Sequence, residues 1–198
     1  MRRQHLVLVG MMGSGKTTVG RRVAARLGRR LRDSDAEVEA RTGRTVREIF
    51  ESDGEAAFRV EEARALAEAL DDPEPAVVAA AGGVVLDAGN RERLRAGGTV
   101  IWLDARPEDL ARRVSTGGHR PLLGDDPLAA LRRLDGERRR FYEEVADHVV
   151  QVGGRSAEAV VADVLALPSC AERRSDQTST ARCLGDEVAE TTGPSEAG

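Results

Sequence analysis

His5-Leu6-Val7-Leu8-Val9 runs directly into Gly10-Met11-Met12-Gly13-Ser14-Gly15-Lys16-Thr17-Thr18. Residues 5–9 read as a buried strand, and Gly10 to Thr17 fit the pattern G-x-x-x-x-G-K-[ST]. From Lys16 onward, Val19, Val23 and Leu27 recur at helical spacing until Gly28. Strand, loop and helix in this order give the motif a physical meaning. Glycines let the loop curl until its N–H groups point inward at phosphate oxygens, and the helix N-terminus adds partial positive charge. The Lys16 ammonium reaches the β- and γ-phosphates, and the Thr17 hydroxyl suits Mg2+. Gly13, Ser14, Gly15, Lys16, Thr17 and Thr18 are therefore the expected ATP site, with Mg2+ as its metal. Of 30 lysines plus arginines, Lys16 is the single lysine. A compact ammonium and a guanidinium fork are not interchangeable at a phosphate.

Outward from this motif, strands and helices alternate. Strands are expected over 30–32, 77–81, 99–103 and 148–152. Helices are expected over 35–41, 46–52 (with Thr45 as N-cap), 55–70, 88–96, 107–115, 127–145 and 156–167. Five strands separated by helices predict an α/β fold, a parallel sheet flanked by helices. Residues 116–126 are rich in Gly, Pro and Asp and read as an exposed mobile loop. From Ser169 the periodicity stops, and only Leu184 and Val188 represent Leu, Ile, Val and Phe. The expected organisation is one domain over 1–168 and a disordered tail over 169–198.

Composition narrows the function. The chain has 198 residues, 40% of them hydrophobic and 32% charged, within the range of globular domains. A net charge of −4 argues against a general nucleic-acid binder. No apolar run reaches the roughly 20 residues of a membrane span. Cys170 and Cys183 define neither a disulfide framework nor a zinc site, so a cytoplasmic protein is expected. His5, His119 and His148 lack ligand spacing and read as structural or exposed.

A nucleotide loop does not by itself define a reaction. Further motifs do: Asp33-Ser34-Asp35; Gly54-Glu55-Ala56-Ala57-Phe58-Arg59; Gly82-Gly83; Arg120-Pro121-Leu122-Leu123; and Arg138-Arg139-Arg140-Phe141-Tyr142. In this order and spacing the chain resembles the shikimate kinases over about residues 5–167. The resemblance implies a P-loop kinase of the nucleoside monophosphate kinase type with a mobile lid at 116–126. It also implies phosphorylation of the 3-hydroxyl of shikimate by ATP. Asp33 then supports Mg2+, and Asp35 accepts from the substrate hydroxyls and can take the proton of the attacking one. Arg59 and Arg138 grip the carboxylate, Gly82 and Gly83 bring backbone amides to the ring, and Arg120 closes over the γ-phosphate. Lys16, Asp35 and Arg120 are the catalytic set.

Physical chemistry agrees with those residue types. Arginine forks recognise carboxylates in a planar, bidentate manner, and strand ends are where open α/β sheets bind ligands. Alternation along an extended 33–35 segment is expected to send both aspartates the same way. Arg139 and Arg140 are expected on the surface. For the adenine, Arg112, Arg113 and the segment Gly153-Gly154-Arg155 stay open. Ala81 stands where the family usually has glycine. Either it sits harmlessly at the strand end, or the acceptor pocket has a different shape. Other readings compatible with the nucleotide motif are a related kinase of another small hydroxy or sugar acid, and a nucleotide-binding module without catalysis. The protein is expected to be a monomer, with ATP and shikimate as its small-molecule partners and neither nucleic acid nor membrane.

Overall fold

The computed structural model describes residues 5–114 and 122–168. The expected lid residues 116–121, Arg120 among them, and the expected tail 169–198 lie outside the described residues. Five strands form one sheet: β1 (His5–Val9), β2 (Leu31–Asp33), β3 (Val77–Ala79), β4 (Gly98–Asp104) and β5 (His148–Gln151). All pair in parallel in the order β2-β3-β1-β4-β5. Leu6 faces Val77 on one side and Thr99 on the other. Both neighbours of the central strand are thus fixed by register, and its Leu6, Val7, Leu8 and Val9 are at most 1% exposed.

Among the described residues there are seven α-helices, six between the strands and one after β5: α1 (Lys16–Leu27), α2 (Ser34–Thr42), α3 (Val46–Leu70), α4 (Ala88–Gly97), α5 (Pro107–Val114), α6 (Pro127–Val145) and α7 (Ala157–Ala166). α1 packs against α7, while α4 packs against both α3 and α6. Their buried faces meet the sheet in one core of Val, Leu, Ile and Ala, with Trp102 and Tyr142 as its large aromatics. A second, smaller cluster of Val38, Ile49, Phe58 and Ala65 joins α2 to α3.

Local chemistry accounts for the helix ends. Thr45 and Glu48 form a reciprocal capping box at the start of α3: Thr45 Oγ1 accepts from the Glu48 amide, and Glu48 Oε2 accepts from the Thr45 amide. Asp126 and Ser156 cap α6 and α7 with a single bond each, their side-chain oxygens accepting from the Ala129 and Ala159 amides.

α3 consists of the two expected helical segments, 46–52 and 55–70, which meet at a kink: Gly54 between them has a φ of 83° and a ψ of 173°, a non-helical conformation available to glycine alone. Two expectations need correction. β3 ends at Ala79 rather than residue 81, because the chain turns into a short 3-10 helix, Val84–Leu86, that the periodicity did not signal. The extended segment does not continue through 33–35: β2 stops at Asp33 and Asp35 lies in the first turn of α2. Arg139 keeps a partly exposed side chain, 35% accessible, while pairing with Asp104 at 2.9 Å and Asp135 at 3.0 Å and lying over the Trp102 ring.

Candidate active site

The carboxyl ends of β1, β2 and β3 open into one cavity of about 780 Å3, within the usual range for small-molecule sites. Residues 13–18 line one part of it. Asp33, Asp35, Arg59, Gly82, Gly83 and Arg138 line another. Of the expected site residues, only Arg120 falls outside the described chain.

The loop is built as its glycines require. Gly10 has a φ of 141°, and a Cβ there would stand 2.6 Å from the Leu103 carbonyl oxygen. No other residue allows β1 and β4 to stay paired while the chain turns. Gly15 caps α1 at a φ of 94°, leaving the helix N-terminus bare toward the cavity. Lys16 Nζ donates to the carbonyls of Gly10 at 2.8 Å and Met11 at 3.1 Å, so the ammonium lies across the loop mouth.

Thr17 Oγ1 donates to Asp33 Oδ2 at 2.7 Å. The other oxygen of Asp33 caps α2 through the Ala36 amide at 3.4 Å. Asp33 therefore does two things at once, ending β2 and presenting an oxygen beside the loop threonine. Asp35 joins the cavity through helical geometry rather than through strand alternation.

The part of the cavity away from the loop has two arginines. Arg59 follows the bend at Gly54, and both oxygens of Glu62 accept from its Nη1 at 2.9 Å. Its Nη2 donates to Glu55 at 2.6 Å. Its guanidinium lies against Gly83 so closely that a Cβ there would stand 1.8 Å from Nη1. Arg138, on α6, is only 2% exposed, and its Nε has no hydrogen-bond partner among the described residues. A Cβ on Gly82 would meet its Nη1 at 3.5 Å. The two arginines thus flank one glycine turn.

Sequence reasoning missed Glu62. It is 2% exposed. Burial pushes its carboxyl above the ordinary range, and the adjacent Arg59 pulls it back. A signal existed: Glu62 falls in register with Phe58, Ala65, Leu66 and Ala69 on the buried face of α3. An acid on such a face implies a buried partner. On the nucleotide side, Arg113 lines the cavity and donates to the carbonyls of Val152 at 2.6 Å and Gly13 at 3.4 Å. Arg112 instead pairs with Asp109, its side chain 71% exposed. Asp104, at the end of β4, accepts from Arg139 and Gln151. Ala81 is buried, and no non-glycine residue among those described has positive φ, so it carries no backbone strain.

A parallel sheet in this order, a phosphate loop at its central strand and an arginine-flanked cup on the neighbouring strand end define a P-loop kinase of a small acceptor. The model of the shikimate kinase family matches residues 12–167, and the chain belongs to that family. It is 49% identical to the shikimate kinase of Symbiobacterium thermophilum over 164 residues, covering 81% of this chain and 94% of that one. It is 46% identical to the shikimate kinase of Burkholderia pseudomallei strain K96243, covering 81% and 88%. Among solved structures, the shikimate kinase of Acinetobacter baumannii in complex with shikimate superposes with a TM-score of 0.79 at 38% identity, covering 83% of this chain and 92% of that one. A gluconokinase from Sinorhizobium meliloti shares the fold, with a TM-score of 0.60 at 23% identity over 90% and 97% of the two chains.

Proposed function

We propose that the chain transfers the γ-phosphoryl group of ATP directly to the 3-hydroxyl of shikimate, giving shikimate 3-phosphate and ADP. Supporting this most strongly is the convergence of Arg59 and Arg138 on the Gly82-Gly83 turn, in the cavity that also holds the phosphate loop. A carboxylate needs the forks, ring hydroxyls need the turn amides and Asp35, and a triphosphate needs the loop.

In this reading the amides of 13–18 and the Lys16 ammonium hold the phosphates. Asp35 orients the attacking hydroxyl and takes its proton as the new O–P bond forms and the bond to the β-phosphate oxygen breaks. Glu62 keeps the Arg59 fork turned toward the acceptor. Thr17 and Asp33 are the metal residues. Their hard oxygen donors fit Mg2+, which takes most of its remaining ligands from water and phosphate. The described residues contain no cluster of three or more His, Cys, Asp or Glu that would hold a metal alone. When bound, Mg2+ neutralises charge developing on the phosphates.

Arg120 adds a further positive charge over the γ-phosphate, a role worth about 10^3–10^5 in rate in related transfers, with 116–126 as the lid. Arg113 rather than Arg112 faces the adenine. The domain runs over 1–168, with 169–198 as a separate tail. The protein works as a cytoplasmic monomer on ATP and shikimate, without nucleic acid or membrane. No helix among the described residues is long and apolar enough to cross a bilayer.

A coupled assay of ADP release tests the reaction. Turnover must depend on shikimate and exceed that with sugar acids and cyclic polyols. A rate equal to the ATPase background rejects it.

A further inference from the structure

Tyr142 does not line the cavity, yet it joins two parts that do. It sits one helical turn after Arg138 on α6 and is fully buried. Its hydroxyl donates to the Gly82 carbonyl at 2.6 Å. The same hydroxyl interacts with the Arg138 guanidinium, and burial keeps the phenol protonated far above its ordinary range. It is therefore a permanent donor.

A glycine turn has no side chains of its own to hold it. A carbonyl fixed by a buried phenol fixes the whole 82–83 peptide plane, and with it the direction of the Gly83 amide. The ring itself has little freedom. It stacks on Trp102 at 5.7 Å, and the opposite side of that network is held by Arg139 between Asp104 and Asp135. α6 grips the segment after the turn as well. Glu144 pairs with Arg91, whose guanidinium donates to the carbonyls of Val85 and Leu86 at 2.8 and 3.2 Å.

We propose that Tyr142 is a positioning residue of the acceptor site: its hydroxyl locks the Gly82-Gly83 peptide to Arg138, so that turn and guanidinium meet the acceptor as one preorganised surface. This rests on the reading above that Arg138 and the turn bind the acceptor.

The test is Tyr142→Phe, which removes one oxygen and keeps the stacked ring. KM for shikimate should rise about 3- to 10-fold, the scale of one neutral hydrogen bond, while kcat and KM for ATP stay essentially unchanged. Tyr142 is also the single tyrosine of the chain. Growth on 3-fluorotyrosine therefore labels this site alone, and its fluorine resonance should move when shikimate is added. An unmoved acceptor KM, an equal rise for ATP, or a fluorine resonance blind to saturating shikimate overturns the proposal. If Tyr142→Phe does not fold, the fluorine experiment on the unmutated chain decides alone. Arg138→Lys separates the two levels. Should it leave the acceptor KM unchanged, the acceptor reading itself fails; should it raise that KM while Tyr142→Phe does not, only the role of Tyr142 fails.

Discussion

Arg59→Ala should damage binding and folding by separate routes that one further substitution disentangles. Arg59 offers its fork to the cavity while both oxygens of Glu62 accept from Nη1 at 2.9 Å. Losing a charged hydrogen bond to the acceptor carboxylate costs about 1.5–3 kcal/mol, or roughly a 10- to 150-fold rise in KM for shikimate. The phosphate loop lines a different part of the cavity, so KM for ATP should hold. The stability loss has a different origin. Glu62 is 2% exposed against 22% for Arg59, so the variant leaves a buried carboxylate without its partner. That situation costs about 3–5 kcal/mol. Arg59 is partly solvated, which favours the lower end, about 3 kcal/mol. At about 2–4 °C per kcal/mol for a chain of this size, Tm should fall by roughly 6–12 °C. Arg59→Ala with Glu62→Gln should recover most of the Tm and none of the acceptor KM. The pH dependence has a definite sign. Without Arg59 the Glu62 carboxyl, already raised by burial, rises further. The folded state then takes up a proton before the unfolded state does, so the deficit shrinks as pH falls. Steady-state kinetics and thermal denaturation across pH measure all of this. Recovery of the acceptor KM in the double variant would mean that Arg59 does not touch the acceptor.

Gly83→Ala should reproduce the binding loss and part of the folding loss. Gly83 has a φ of −91°, so alanine is unstrained, but its Cβ would stand 1.8 Å from Arg59 Nη1 and must push the guanidinium, with its hydrogen bonds to Glu62, aside. KM for shikimate should rise by at least about tenfold, and Tm should fall by no more than in Arg59→Ala; an unchanged KM refutes the position given to Arg59. Ala81→Gly should lose stability alone. It removes a buried methyl and adds backbone freedom, about 1–2 kcal/mol together, and leaves acceptor kinetics as they were; a lower KM would mean that the methyl obstructs the acceptor. Burial holds His5 below its ordinary value of 6.5, and its Nδ1 accepts from the Ala76 amide at 3.3 Å. The folded state then binds fewer protons than the unfolded one, so stability should be full above about pH 6.5 and decline below it until the lowered value is passed. His5→Asn should flatten that part of the Tm–pH curve, and a persisting slope assigns it to another group.

The fold was legible because its signals are local and repeat. Val19, Val23 and Leu27 place α1, Thr45 starts α3, and Gly28 ends α1 with a φ of 61°. Each needs only its near neighbours. Asp53-Gly54 likewise marks the break between two helical segments, which falls at Gly54. Misreadings arose where tertiary contacts outweigh local pattern. Val84–Leu86 follows a strand and is itself apolar, so nothing in its period marks a 3-10 turn. It forms because Arg91, from the next helix, satisfies its carbonyls.

The site divides along the same line. Groups that would meet a ligand carry recognisable chemistry in short motifs, and Lys16, Asp35, Arg59 and Arg138 were found that way. Groups that hold those side chains in place were not, because their partners are distant in sequence: Tyr142 reaches back 60 residues to Gly82, and Arg139 reaches 35 to Asp104. Glu62 is the instructive exception, being three residues from Arg59. It was legible as an acid on an apolar helix face, a feature that burial penalises unless a cation faces it. Asking which charged residues violate the periodicity of their own element would have found it. Tyr142 violates nothing, since a tyrosine on a buried face is ordinary core composition. The need for its hydroxyl arises only when the Gly82 carbonyl is brought to it, and the parallel register of β3 beside β1 does that.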